Sequence, residues 1–335
     1  MQRLPRRYWI ACVGVFFVGV GLRLVADAVD DLETAGETQS SVSEAALRLL
    51  EADAPTVRTV DSYDGLGIWV DAFDFEPGYQ GEGGGPPPLT PAVVDDFAAV
   101  GVETVYLQAA RRDDRAPGLL LDEGLLAEFL LRAHARDIDV VGWYLPLFDD
   151  VDADVERLVA IADFAVRGHR FDGVAVDIEY IEAVPDAEDR SGRLVHLSQE
   201  LRKARPDDAL GAIVPPAVQL EVVNTAYWPR FPWRDLDRYY DVWMPMAYWT
   251  VRTEASGYRD AYRYAEESTR RMRANLGRDD ARVHIIGGIG DETTTEDLDG
   301  LRHAIEDTAS IGGSIYDWQS LSPERRAELP ASIPG

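Results

Sequence analysis

Residues 171–180 read FDGVAVDIEY. A β-strand turns successive side chains to opposite faces, so Gly173, Ala175, Asp177 and Glu179 share one face and Val174, Val176 and Ile178 the other. One face is apolar throughout; the other ends in two acids. In a parallel barrel the apolar face packs on helices, the second face fills the interior, and chemistry gathers at the carboxyl ends of the strands. Two residues of rise place the Cα atoms of Asp177 and Glu179 roughly 6 to 7 Å apart, close enough for the carboxyls to interact through charge or a shared hydrogen bond.

Working outward, similar apolar runs recur at 66–70, 103–108, 139–144, 210–214, 241–246, 283–287 and 313–316. With 173–178 they make eight candidate strands. Helix-like stretches fall between them at 91–100, 123–136, 153–167, 191–204, 258–276 and 296–309. Regular alternation of strand and helix predicts a parallel sheet with helical crossovers, and eight units predict a (β/α)8 TIM barrel. The competing fold is a doubly wound nucleotide-binding sheet. No G-x-G-x-x-G follows a strand and opens a helix here, and GEGGGPPP at 81–88 is too rich in proline to lead into one. Gly287-Gly288-Ile289-Gly290 reads as a tight turn at the barrel rim.

Barrel geometry would bring the residues at the strand ends to one mouth. They include Trp69 and Asp71, Gln108, Trp143 and Tyr144, Asp177 and Glu179, Met246, Tyr248 and Trp249, and Asp317 with Trp318. Aromatic rings stack on the C–H faces of sugars, and paired carboxyls serve as acid and base or as nucleophile, so this mixture suits a glycosidase. Each residue also has a purely structural reading. Any one tryptophan is expected in a core, Asp71 and Asp291 suit turn or helix caps, and Asp172 suits a strand start. For Asp177 and Glu179 the structural reading is an inward ion pair with an arginine such as Arg111.

Composition narrows the partners. Of the 335 residues 46% are hydrophobic, enough for a large core, while Lys+Arg 33 against Asp+Glu 60 leaves a formal charge of -27. That charge repels phosphate backbones and argues against nucleic acid, but not against a neutral glycan. Cys12 is the only cysteine, so the folded domain has no internal disulfide and no thiol nucleophile. The histidines are scattered in sequence, and neither a metal nor another cofactor is expected. Arg3, Arg6 and Arg7, an apolar run from Tyr8 to Leu22 and the triplet Ala26-Asp27-Ala28 have the parts of a signal peptide or signal anchor, residues 1–28. Export is the expectation, to the cell exterior or the cell surface, with membrane contact only through that segment if it is uncut. An acidic linker or stalk at 29–61 would then lead to a single catalytic barrel domain at 62–335.

The decapeptide resembles the fourth-strand motif D-G-x-D-x-D-x-E of glycoside hydrolase family 18, the chitinases and endo-N-acetylglucosaminidases. Asp172, Gly173, Asp177 and Glu179 match it, and Ala175 stands where the family has its middle acid. Met246-Ala247-Tyr248 is similar to the family's M-x-Y on strand six, with Trp249 in place of the polar residue that follows. Gly312-Gly313 and Trp318 are similar to its last strand, one residue longer in spacing. The resemblance runs from about Leu66 to Leu321. It implies that Glu179 protonates the glycosidic oxygen while the substrate's own 2-acetamido carbonyl attacks the anomeric carbon. Asp177 would orient that acetamido group, with the Tyr248 hydroxyl on its oxygen. Loss of the middle acid leaves two other readings open: a two-carboxylate glycosidase pairing Glu179 with Asp71, Asp291 or Asp317, and a catalytically silent glycan-binding barrel. The expected substrate is a cell-wall or extracellular polysaccharide.

Overall fold

The computed structural model describes residues 57–81 and 85–333. The signal or anchor segment and most of the linker lie outside the described residues. Eight parallel strands close into a barrel in chain order. They are β1 Gly65–Val70, β2 Thr104–Ala110, β3 Asp139–Tyr144, β4 Gly173–Asp177, β5 Leu210–Val214, β6 Val242–Pro245, β7 Arg282–Ile289 and β8 Gly312–Tyr316. Each overlaps a run expected from sequence. Hydrogen bonding between β8 and β1, Gly65 opposite Gly312, completes the closure.

Helices follow the strands on the outside: α1 Val94–Ala99, α2 Glu123–His134, α3 Val151–Asp163, α4 Ala187–Ala204, α5 Trp233–Leu236, α6 Ala261–Leu276, α7 Thr295–Thr308 and α8 Pro323–Ser332. Asp122, Asp150, Asp186 and Asp260 each accept a first-turn N–H of α2, α3, α4 and α6. Carboxylates at those ends satisfy orphan donors and complement the helix dipole, so part of the acidity is structural.

Three local expectations are corrected. The helix expected to reach Arg167 stops at Asp163, because Arg167 and Gly168, with φ of 51° and 83°, turn an antiparallel hairpin that pairs Ala165–Val166 with His169–Arg170. The glycines at 287 and 288 form no rim turn. They lie within β7, where an added Cβ would come 2.7 Å and 2.9 Å from the Trp249 ring. Sequence periodicity also missed the single-turn α5, which follows a proline-broken loop, and α8.

Inside the barrel the fill is aromatic. A turn at Val60–Tyr63 plugs the N-terminal end, with the Tyr63 hydroxyl donating to the Val174 carbonyl at 3.0 Å and accepting from the Val174 N–H at 3.1 Å. Arg58, assigned to the linker by sequence, is buried just before this plug. Its guanidinium pairs with Asp208 at 2.6 Å and donates to the carbonyls of Phe171 and Ala162. Above Tyr63 the Tyr106 ring stacks on Trp69 at 4.4 Å, and Tyr63, Trp69, Tyr106, Trp143, Ala175 and Met244 belong to one interior cluster. Inward glycines make room: a Cβ on Gly67 would lie 2.5 Å from the Tyr106 ring, and one on Gly173 would lie 2.7 Å from the Tyr63 hydroxyl.

Asp172 does serve as a strand-start device. Its Oδ2 accepts from the Val140 N–H and from His134 Nε2, both at 2.8 Å, and His134 Nδ1 lies 2.7 Å from His169 Nδ1. Two histidines 35 residues apart in sequence thus meet at the N-terminal end of the barrel, away from the mouth.

The packing of Tyr63 against Gly173 is testable. Gly173→Ala should cost about 1 to 3 kcal/mol in urea unfolding, the range for overpacking a filled core. Gly192→Ala, at an exposed position on α4 with no atom within 4 Å of the new Cβ, should be neutral or stabilising.

Candidate active site

β4 ends its ladder at Asp177, and the Ile178 N–H extends it by one bond to the Ile213 carbonyl at 2.7 Å. The parity of the strand therefore brings Asp177 and then Glu179 to the C-terminal mouth. Asp177 is 7% exposed, and its Oδ1 is buried without a hydrogen-bond partner. Burial pushes its carboxyl well above the ordinary range, and the charge of Glu179 adds to the rise. Glu179 is partly exposed, and desolvation alone lifts its carboxyl to about 7. A carboxyl in that range holds its proton near neutral pH and can still release it.

The ion-pair reading of these acids is not what the structure shows. Arg111 donates to Asp113 at 3.3 Å, and its guanidinium lies 4.9 Å over the Phe73 ring and 5.3 Å over Tyr79. Among the described residues, the charge that acts on Asp177 is that of Glu179 and not an arginine.

Ala175 sits one layer below, fully buried in the interior cluster. Its methyl lies 3.3 Å from where a Cβ on Gly211 would fall, a site also crowded by Met244 and Tyr63. A carboxylate at 175 would face apolar side chains, so the departure from the family motif matches the fill of the barrel at that level.

Around the pair, the sequence candidates divide. Trp69 is nearly buried, its indole N–H donating to Ser314 Oγ at 2.8 Å, with the Trp143 ring 5.8 Å away edge-on. Met246 belongs to the same interior cluster, with Tyr248 packed against it. Gln108 is buried and accepts the Ala72 N–H at 2.9 Å, which fixes the turn after β1. Asp71 caps that turn by accepting the Phe73 N–H at 2.7 Å, and its other oxygen accepts the Tyr316 hydroxyl at 2.6 Å. Asp317 caps the turn after β8 by accepting the Ser320 N–H at 2.8 Å.

Three expected platform residues are corrected. Tyr144 and Trp249 lie on the outward parity, Trp318 has left the strand for the turn that Asp317 caps, and all three belong to the layer between barrel and helices. The Tyr144 hydroxyl donates to Asp154 at 2.6 Å, Trp249 packs on the β7 glycines, and Trp318 meets Phe97 edge-on at 4.9 Å with Arg326 over its ring at 4.3 Å. Tyr316, which sequence reading passed over for Trp318, has the inward parity of Ser314 and lies 5.8 Å from the Tyr248 ring. Period-2 counting along β8 would have found it.

Oxygens of Asp71, Asp74 and Asp317 lie within 4.8 Å of one another. Hard oxygen donors of this kind suit a divalent cation, but here they are also engaged as caps: Asp71 and Asp317 as above, and Asp74 accepting the Asp71 N–H at 3.1 Å. Asp291 is exposed on the turn after β7.

No family model matches the sequence, and no curated protein does. Solved structures share the fold. A class V chitinase from Pseudomonas fluorescens superposes with a TM-score of 0.55 at 9% identity, covering 80% of this chain and 99% of that one. The C-terminal domain of a putative chitinase from Desulfitobacterium hafniense gives 0.53 at 12% identity, covering 80% and 97%. The spore cortex-lytic enzyme SleL of Bacillus megaterium gives 0.53 at 8% identity, covering 80% and 74%.

The raised carboxyl of Glu179 has a consequence for stability. Its folded value of about 7 exceeds the unfolded value of 4.5, so the folded state binds the extra proton and stability falls as pH rises through that window. Glu179→Gln removes this loss. Thermal melts should show the variant matching the parent at pH 4 and exceeding it at pH 8, by a few kcal/mol at most given the partial exposure.

Proposed function

We propose that this chain is a glycoside hydrolase in which Glu179 is the general acid and base and Asp177 its partner. The observation that carries the reading is the carboxyl pair at the C-terminal mouth of the barrel, with Glu179 lifted to about 7 by burial and, among the described residues, no cation raising or lowering either acid. A protonated Glu179 would deliver its proton to the glycosidic oxygen, and the same carboxylate would later take a proton from the attacking water.

The partner role of Asp177 fits substrate assistance better than a two-carboxylate mechanism. Its buried Oδ1, which lacks a donor, suits the N–H of a 2-acetamido group, and that contact would hold the acetamido carbonyl against the anomeric carbon. A second catalytic carboxylate from another strand finds less support, since Asp71 and Asp317 both serve as caps. Tyr248 and Tyr316, packed against the interior cluster that contains Trp143, would supply the aromatic wall for a sugar ring. The substrate class is then a polysaccharide bearing N-acetylated amino sugars, in a cell wall or outside the cell. Fold neighbours named as chitinases and as a spore cortex-lytic enzyme support that choice. The N-terminal residues 1–28 would direct export or hold the enzyme at the surface.

Two measurements test this. Release of reducing ends from chitin oligosaccharides and from peptidoglycan should fall by about 10² to 10⁴ in Glu179→Gln, the range for removing a general acid, with the fold retained by circular dichroism. Binding of these glycans without release by either protein would instead support the glycan-binding barrel. In the active parent, kcat/KM should decline as pH rises through about 7, because Glu179 loses its proton there. A rate that stays flat to pH 9 would remove Glu179 from the acid role.

A further inference from the structure

Glu179 stands past the end of the β4 ladder, so the sheet does not fix its main chain. A side chain does. The Tyr227 hydroxyl, from the loop between β5 and α5, donates to the Glu179 carbonyl at 2.7 Å. Tyr227 is itself held from behind, its own carbonyl accepting from Arg190 Nη2 at 3.3 Å.

Arg190 lies in the first turn of α4 and is 2% exposed. Its Nη1 donates to the carbonyls of Val184 at 2.6 Å, Pro185 at 3.2 Å and Ile181 at 3.4 Å, all in the segment that follows Glu179. The guanidinium lies 4.2 Å over the Trp228 ring, and the Trp228 indole N–H donates to Ser191 Oγ at 2.9 Å. One buried cation thus ties together the segment leaving Glu179, the start of α4 and the loop that carries Tyr227. Burying a guanidinium is costly unless its donors are satisfied; main-chain carbonyls accept from both Nη atoms, while Nε is buried without a partner.

We propose that Tyr227, braced by Arg190, is a positioning residue that sets the place and the dryness of the Glu179 carboxyl. The inference rests on the hydrolase reading for its kinetic consequence but not for its geometry. Removing the hydroxyl leaves the Glu179 carbonyl without its donor, so the main chain beyond Ile178 can shift and admit water. Small displacements of a catalytic group cost up to about a hundredfold in rate.

Tyr227→Phe keeps the ring and deletes one oxygen. The expected result is a fall in kcat of about tenfold with KM within twofold, and a basic limb of the pH profile displaced below that of the parent. Unchanged kcat with an unchanged pH profile overturns the inference while leaving the hydrolase reading intact. If the parent protein releases no product, the hydrolase reading fails, and the inference is then decided by carboxyl titration. Carbon-13 NMR of side-chain carboxyls in parent and Tyr227→Phe, with Glu179→Gln to assign the resonance, should show the Glu179 midpoint lowered in Tyr227→Phe. An identical midpoint overturns the positioning role.

Discussion

The mouth of this barrel depends on how its interior is filled. Tyr63 closes the N-terminal end, Tyr106 stacks on Trp69 above it, and inward glycines at 67 and 173 give the rings their space. The fill is largely aromatic and apolar, and polar groups within it meet its rings, Ser314 at the Trp69 indole N–H and His284 at the Tyr106 hydroxyl. Asp177 is buried above this fill, and burial is the largest influence on both carboxyls. The same fill accounts for Ala175. A third acid at that level would be buried among Met244, Tyr63 and the β5 backbone with nothing to offset its desolvation.

Strand parity divides labour around this centre. Inward aromatics and carboxyls form the mouth, while outward aromatics such as Tyr144 and Trp249 secure the helices. The rim is built largely from caps: Asp71 and Asp317 each terminate a strand by starting a turn, and Gln108 locks the first of those turns. Glu179 differs from these, since its segment is held from outside the sheet through Tyr227 and Arg190.

Much of this was legible in the sequence because a barrel strand carries its own signal. All eight strands were recoverable from short apolar runs, and the parity of FDGVAVDIEY alone placed both acids on the inner face. What escaped was information that does not reside in local period. Trp318 and Trp249 suit a platform because tryptophans after strands fit a motif, yet Trp249 falls on the outward parity and Trp318, which shares the parity of Tyr316, lies beyond the strand in the turn capped by Asp317. The meeting of His134 with His169 and the Arg190 brace depend on side chains brought together across loops. Arg58 was assigned to a linker because nothing nearby in sequence announces its partner Asp208, 150 residues away.

The proposed chemistry turns on Glu179 holding its proton near neutral pH, which follows from the desolvation of its carboxyl. The most direct test is the pH titration of the Glu179 carboxyl in the parent protein by carbon-13 NMR. The expected midpoint is near 7, with an Asp177 resonance that also titrates above the ordinary carboxylate range. A Glu179 midpoint near 4.5, the value of an unburied glutamate, would contradict it.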